Sequence, residues 1–304
     1  MQQAEHILTN FYKNMKKLFA FLTLSLAVAL CACDNDENPS WNVPQPVVES
    51  LFDMYPTAQN VSWYHSGIYS VARFSTTQNG AAQYRWAWFD NAGTWYMTET
   101  DVALAQMPQA VQNAFAETTY ASWKFEDGDW LERAGLTDIY VIEVEGSGNN
   151  SKTVAALYYT ANGSLFKTVF NPAPDYRYTE LLPAPLPAQV SAYIQAEYPA
   201  AQLINSFFGD NLARVEILDE GVLRTLWFDG NNNWLYTVTQ IEQEELPETV
   251  QTAFQESAYA AYTIQDAFYY NTPSGNYYRL ALQSGTQTVE VDITPDGELT
   301  VVNN

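Results

Sequence analysis

Residues 187–202 read PAQVSAYIQAEYPAAQ, and residues 227–238 read WFDGNNNWLYTV. Pro187 can open a helix, because a helix's first turn does not use its own N–H groups. Val190 and Ile194 stand four apart and share one face of that helix. Tyr198-Pro199 closes it, since the residue before a proline avoids the right-handed helical region. In the second stretch aromatic residues flank Asp229–Asn233, the pattern of two strands joined by a tight turn. Together the stretches predict a short helix followed by a small antiparallel sheet.

The same order of signals occurs four times. The first copy runs Pro44, Val47, Leu51, Tyr55, Pro56, Ala58 and then Trp88, Phe89, Asp90, Gly93, Trp95. The second runs Pro108, Val111, Phe115, Tyr120 and then Tyr158, Tyr159, Asn162, Gly163, Leu165. The stretch quoted above is the third. The fourth runs Pro247, Val250, Phe254, Tyr259 and then Val291, Ile293, Asp296, Gly297, Leu299. Copies one and three carry Tyr-Pro-x-Ala, at Tyr55 to Ala58 and Tyr198 to Ala201. Copies two and four read Phe-x-x-x-x-Tyr-Ala instead, at Phe115 to Ala121 and Phe254 to Ala260. This alternation makes the larger unit a pair, with a period of 143 residues from Pro44 to Pro187. Pairing predicts two domains of two copies each, not an open solenoid, whose inner repeats would be alike.

Each copy has about four strand signals after its helix. The fold class read from this is α+β: repeated units of a short helix packed on a four-stranded antiparallel sheet, with four units paired into two domains. The first domain covers 43–170 and the second 187–304. Between them Pro172, Pro174, Pro183 and Pro185 crowd residues 171–186, which read as a semi-rigid linker.

The N-terminus carries an address. Lys16 and Lys17 precede Leu18–Leu30, a run of signal-peptide length and too short to span a bilayer comfortably. Residues 1–32 read as a signal peptide, with Met15 as the natural start. Leu30-Cys31-Ala32-Cys33 resembles a bacterial lipobox, which makes Cys33 the lipidated residue; ordinary secretory cleavage is the alternative. Residues 33–42, with Asp34, Asp36 and Glu37, form an acidic tether similar to the surface-export signals of Bacteroidetes lipoproteins. These readings place the protein at the outer membrane, on the periplasmic or the surface side, and held by its lipid alone.

The chain has 13 basic and 35 acidic residues, a net charge of −22. Without residues 1–32 it keeps 10 basic and 34 acidic residues, a net charge of −24. Such a chain repels nucleic acid and anionic lipid, so neither is expected as a partner.

The proline-led helices and the strand pairs ending in Trp88-Phe89-Asp90…Trp95 and Trp227-Phe228-Asp229…Trp234 resemble the PepSY-like family. They are similar to the beta-lactamase-inhibitor-like lipoproteins of Bacteroidetes, which carry such units in tandem. The resemblance covers essentially all of 43–304. It implies an extracytoplasmic binding or inhibitory module, and it supplies no catalytic residues.

Composition and motifs agree on the absence of catalysis. His65 is the one histidine after the leader, so a Ser-His-Asp triad or a histidine metal site cannot be assembled in the usual way. It reads as a turn residue. No dinucleotide fingerprint, P-loop or H-E-x-x-H occurs, and no carboxylate pair stands out from the rest. The residues Glu126, Asp127 and Asp129 form a dense acidic loop and are the candidate ligands for calcium, which favours clustered oxygens. No other cofactor is expected. The stronger hint is aromatic: 21 Tyr, 15 Phe and 9 Trp make 15% of the chain. Alternation along a strand turns Trp86 and Trp88 to one sheet face and Ala87 and Phe89 to the other, so aromatics are expected at the solvent on the face away from the helices. Trp86, Trp88, Trp95, Trp227 and Trp234 are therefore the candidate binding residues. The expected function is a non-enzymatic module that binds a protein or peptide. The alternatives are a glycan-binding surface lipoprotein and a calcium-responsive envelope protein.

Overall fold

The computed structural model describes residues 42–78, 80–148, 151–172, 178–209 and 211–302. Cys33 and the leader lie outside these residues. In the first domain α1 (Gln45–Met54) precedes β1 (Gln59–Ser66), β2 (Tyr69–Gln78), β3 (Ala81–Phe89) and β4 (Trp95–Asp101). Then α2 (Gln109–Ala116) precedes β5 (Lys124–Arg133), β6 (Ile139–Gly148), β7 (Ser151–Thr160) and β8 (Leu165–Phe170). The second domain repeats the plan. Its first half is α3 (Ala188–Glu197), β9 (Gln202–Phe208), β10 (Leu212–Asp219), β11 (Val222–Asp229) and β12 (Trp234–Ile241). Its second half is α4 (Glu248–Gln255), β13 (Thr263–Asn271), β14 (Tyr277–Ser284), β15 (Gln287–Ile293) and β16 (Leu299–Val301).

The α+β repeat is as expected, and the structure adds how the copies join. Strands β1 to β8 form one antiparallel sheet in chain order, and β9 to β16 form another. The two copies in a domain are fused through their adjoining strands. Glu99 of β4 stands opposite Leu131 of β5, and Val238 of β12 opposite Tyr270 of β13. Fusion hides two strand edges per domain, edges that would otherwise invite pairing with other chains.

Each helix begins at its proline, with Pro44, Pro108, Pro187 and Pro247 in the cap position. The apolar i, i+4 pair faces the sheet: both members are buried in the first two copies, and in the last two Val190 and Val250 are buried while Ile194 and Phe254 are half-buried. Val47, Leu51, Val111, Val190 and Val250 have no exposure at all. Burying each such side chain is worth about 1.5–3 kcal/mol.

The reason that a proline-led helix and a distant turn recur together is that they touch. The turn after β3 is closed by Gly93 N–H to Asp90 O (3.0 Å) and Asp90 N–H to Thr94 O (3.0 Å). The same pair of bonds closes Thr160–Ser164, Asp229–Asn233 and Thr294–Glu298. Each turn sits on the first turn of its helix. A methyl group on Gly93 would stand 2.6 Å from Pro46 O, and one on Gly163 2.6 Å from Ala110 O. In the third copy Gln189 Nε2 donates to Asn233 Oδ1 (3.2 Å), and in the fourth Thr249 Oγ1 donates to Pro295 O (2.9 Å). The position held by Asp90 and Asp229 belongs to Thr294 in the fourth copy, where its hydroxyl accepts from Glu298 N–H. Asp296 lies in that turn but is not the equivalent residue.

Copies one and three share a second device. Tyr55 Oη and Trp95 Nε1 both donate to Thr98 Oγ1, each at 2.9 Å. Trp234 Nε1 donates to Thr237 Oγ1 at 3.1 Å, and Tyr198 Oη lies 3.3 Å from the same atom. Arg85 lies over the Tyr55 ring and Arg224 over the Tyr198 ring. The Tyr-Pro motif thus ties the helix's C-terminal end to the sheet.

Candidate functional site

Each sheet has one face under its helices and one turned away. On the turned-away face of the first domain, Trp88, Met97, Leu131 and Ile139 follow one another across β3 to β6 with no exposure. Trp86 is 7% exposed on the same face. They pack with Tyr178, Leu181 and Leu182 in one cluster. The segment read as a linker therefore does more than connect. Tyr178, in the left-handed region at φ 51°, starts a 3₁₀ turn over Thr179–Leu181 and lays its ring on the first sheet. Its hydroxyl donates to Asp129 Oδ2 at 2.7 Å.

Arg133 fixes the same segment from below and is 3% exposed. Its guanidinium donates to Ile204 O of β9 (2.6 Å), to Leu181 O (3.5 Å) and to Thr137 O (3.0 Å from Nε). Burial lowers its pKa to about 10, still cationic at neutral pH. Thr137 N–H donates to Leu203 O, Asn205 Nδ2 to Glu180 O and Ser206 Oγ to Ala184 O. One edge of the second sheet is thus covered by the first domain and the connecting segment.

Glu99, Asp101 and Asp129 meet beside Tyr178, with one carboxylate oxygen from each within 4.8 Å of the others. Burial pushes the Asp129 carboxyl well above the usual range, and the charge on Glu99 pushes it further. Three carboxylates so placed can share protons or hold a cation.

The equivalent face of the second domain is built differently. The register places Trp227, Tyr236, Tyr270 and Tyr277 where the first domain has Trp88, Met97, Leu131 and Ile139. The four rings form a ladder across β11 to β14. Trp227 and Tyr236 stack at 6.0 Å, Tyr236 and Tyr270 lie 5.8 Å apart, and Tyr270 and Tyr277 stack at 4.8 Å. Such pairs each contribute about 0.5–1.5 kcal/mol beyond their burial. Arg279 lies 4.9 Å over Tyr270 and 5.4 Å over Tyr277. It is held there by Asp292, with Nε to Oδ1 and Nη2 to Oδ2 both at 2.7 Å. Burial raises the Tyr277 hydroxyl above its ordinary range, so the ladder is neutral. Trp227, Tyr236 and Tyr277 remain half-buried, as do Thr225, Val238 and Phe268 on the same face.

The candidate residues from the sequence are therefore dispersed. Trp86 and Trp88 lie on the face away from the helices, which is closed, so they are core and not the contact residues expected. Trp95 and Trp234 sit under the helices, bonded to Thr98 and Thr237. Trp227 alone of the five joins the half-buried ladder. The stretch 126–129 is not a loop but part of β5, with an irregularity between Phe125 and Asp127. Glu126 pairs with Lys124 and Asp127 caps the Gly128 amide, while Asp129 joins Glu99 and Asp101 instead. His65 is not in a turn. It is paired with Ser70 near the end of β1. Tyr236, Tyr270 and Tyr277 stood out in the sequence only as part of its aromatic content, and Arg279 not at all, because their meeting depends on register.

The PepSY-like model, described as beta-lactamase-inhibitor-like, matches residues 70–167 and 213–300. The chain belongs to this family. Each matched segment runs through most of one eight-stranded sheet. Among solved structures the chain is similar to a DUF2874 family protein from Bacteroides ovatus, with 33% identity over 43% of this chain and 89% of that one, at a TM-score of 0.38. It is also similar to a DUF2874 family protein from Bacteroides uniformis, with 32% identity over 43% and 90% at 0.38. A BLIP-like protein from Bacteroides fragilis shares 27% identity over 47% and 98%, at 0.41. No curated protein matches the chain.

Proposed function

We propose that the protein is a non-enzymatic, lipid-anchored module of the cell envelope that binds a protein or peptide on the turned-away face of its second sheet. The observation that carries this reading is the ladder of Trp227, Tyr236, Tyr270 and Tyr277, in which all rings but the buried Tyr270 are half-buried, on a face whose counterpart holds a chain segment. Large rings stacked on one another, with Tyr270 and Tyr277 held by Arg279, lose little freedom on contact, which favours them as anchors. Outer-membrane attachment rests on the Leu30–Cys33 sequence. Labelling with radioactive palmitate should mark the wild type and be lost in Cys33→Ala; equal labelling of both would remove the anchor.

Capture from envelope extracts tests the binding reading. The wild-type chain should retain a specific protein that a Trp227→Ala, Tyr277→Ala variant of unchanged circular dichroism loses. Retention of polysaccharide alone would instead favour the glycan reading, for which stacked rings are also suited. A calcium-responsive reading rests on Glu99, Asp101 and Asp129. It requires a rise in unfolding temperature with calcium, none with magnesium, and loss of the rise in Asp101→Asn.

A further inference from the structure

The first sheet carries a polar hollow at its β1 edge, in the other domain from the ladder. Its volume is about 280 Å³, and Asn60, Ser62, Arg73, Phe74, Ser75 and Tyr84 line it. A bulge in β1 shapes it. Gln59 stands opposite Ser75 and Ser62 opposite Arg73, so Asn60 and Val61 together face one residue of β2. Asn60 takes φ 54° there, a left-handed conformation that asparagine tolerates better than most residues. Its Nδ2 donates to Ser75 Oγ at 3.2 Å, and that hydroxyl donates to Gln59 O at 3.4 Å. Asn60 Oδ1 is left as an acceptor with no partner among the described residues. Ser62 and Arg73 are exposed, and Tyr84, opposite Ser75 on β3, is 49% exposed.

Arg73 is unlike the other described arginines. Arg85, Arg214, Arg224 and Arg279 each pair with a carboxylate, and Arg133 is spent on backbone carbonyls. The guanidinium of Arg73 lies 5.6 Å over the Trp86 ring and meets no carboxylate among the described residues. A chain with 35 acidic and 13 basic residues has acid to spare for it. The fold does not need this set either. The repeat carries the same bulge in the second domain, where the register puts Leu203, Asn205, Glu216, Leu218 and Leu223 at the positions of Asn60, Ser62, Arg73, Ser75 and Tyr84. There Leu203 has no left-handed φ, and Asn205 is bonded to Glu180 O of the connecting segment.

We propose that this hollow is a binding site for a neutral polyhydroxylated ligand, one pyranose ring of a sugar in size. The volume is close to the lower limit of small-molecule sites, about 300 Å³, which suits a single ring. The donors and acceptors are mixed: the Arg73 fork donates, Asn60 Oδ1 accepts, and the Ser62 hydroxyl does either. A pyranose offers hydroxyls that meet both, and an apolar ring face for Tyr84. A carboxylate would suit Arg73 but would meet Asn60 Oδ1 as a like dipole. It would also feel Glu99, opposite Trp86 on this face, with Asp101 and Asp129 beyond it. This site is independent of the ladder, and the protein-binding reading stands or falls without it.

Saturation-transfer NMR and calorimetry on the full-length protein test the proposal, with the methyl glycosides of glucose, galactose and mannose as neutral probes and glucuronate as the charged one. At least one glycoside should receive saturation on its ring protons. Arg73→Lys keeps the charge and loses the fork, and Tyr84→Ala removes the ring; each should weaken binding about tenfold. Ser62→Gln fills the hollow from an exposed position and should abolish binding with the unfolding midpoint unchanged, so it decides the matter if a variant at Arg73 or Tyr84 is unstable. Trp227→Ala should bind the sugar as the wild type does. Glucuronate should bind more weakly than the methyl glucoside at low salt. The proposal is overturned if none of the three glycosides binds, if binding survives Ser62→Gln, if Trp227→Ala abolishes it, or if glucuronate binds more tightly than every neutral probe.

Discussion

Replacing Gly93 by alanine isolates the contact that makes the repeat a unit. Gly93 has φ +85°, and its missing methyl would stand 2.6 Å from Pro46 O, 2.9 Å from Pro46 C and 2.7 Å from Ser50 Oγ. A residue with a Cβ pays about 1–2 kcal/mol for the left-handed region. Pushing that Cβ against backbone that cannot rotate away adds about 1–3 kcal/mol. Gly67 is the control in the same domain, with φ +62° and nothing within 4 Å of the added atom. Gly67→Ala should therefore cost about 1–2 kcal/mol, and Gly93→Ala about 2–5 kcal/mol. Urea unfolding of both variants measures the difference, with the slope unchanged from wild type. Amide exchange should also show α1 fraying in Gly93→Ala and not in Gly67→Ala. Equal midpoints for the two variants would refute the idea that the turn is seated on the helix.

Further expectations follow from the same geometry. Arg133→Met leaves the carbonyls of Thr137, Leu181 and Ile204 without their donor; unfolding should be destabilised by about 2–5 kcal/mol, and limited proteolysis should cut faster within 171–187. Arg279→Lys cannot make the two parallel bonds to Asp292, so it should cost about 1–3 kcal/mol and weaken any ligand of the ladder in a binding titration. Asp90 and Asp229 should titrate below the ordinary 3.8: partial burial raises each, but amide and side-chain bonds from Thr94 and Ala92, or from Asn233 and Asn231, outweigh it. A depressed folded value means that their stabilisation is complete above 3.8 and is lost as the pH falls through the folded value. Carboxyl NMR titration measures this, and Asp229→Asn should flatten the acid limb of the stability curve.

The repeat was legible because its signals are local. Proline, an i, i+4 apolar pair and a tight turn each act within a few residues, so helices and strands could be placed copy by copy. The contact between Gly93 and Pro46 joins residues 47 apart and left only its order in the sequence. Alternation put Trp86 and Trp88 on one shared face, but it says neither which face that is nor how exposed it is. Their burial depends on Tyr178 and Leu181, a segment whose prolines suggested a spacer. Residues 126–129 read as a loop because acidic residues and glycine disfavour strands. The pairing of β5 between β4 and β6 overrides that preference. The ladder depends on register across four strands, which spacing within any one strand does not fix.

The most direct test is in the cell envelope, with a photo-reactive amino acid at Thr225 on the ladder face and, as a control, at Glu49 on the exposed side of α1. Light should join position 225 to a discrete protein partner, Trp227→Ala should abolish that product, and position 49 should give none. Identical products from both positions, or none from 225, would contradict the assignment of this sheet face as the binding surface.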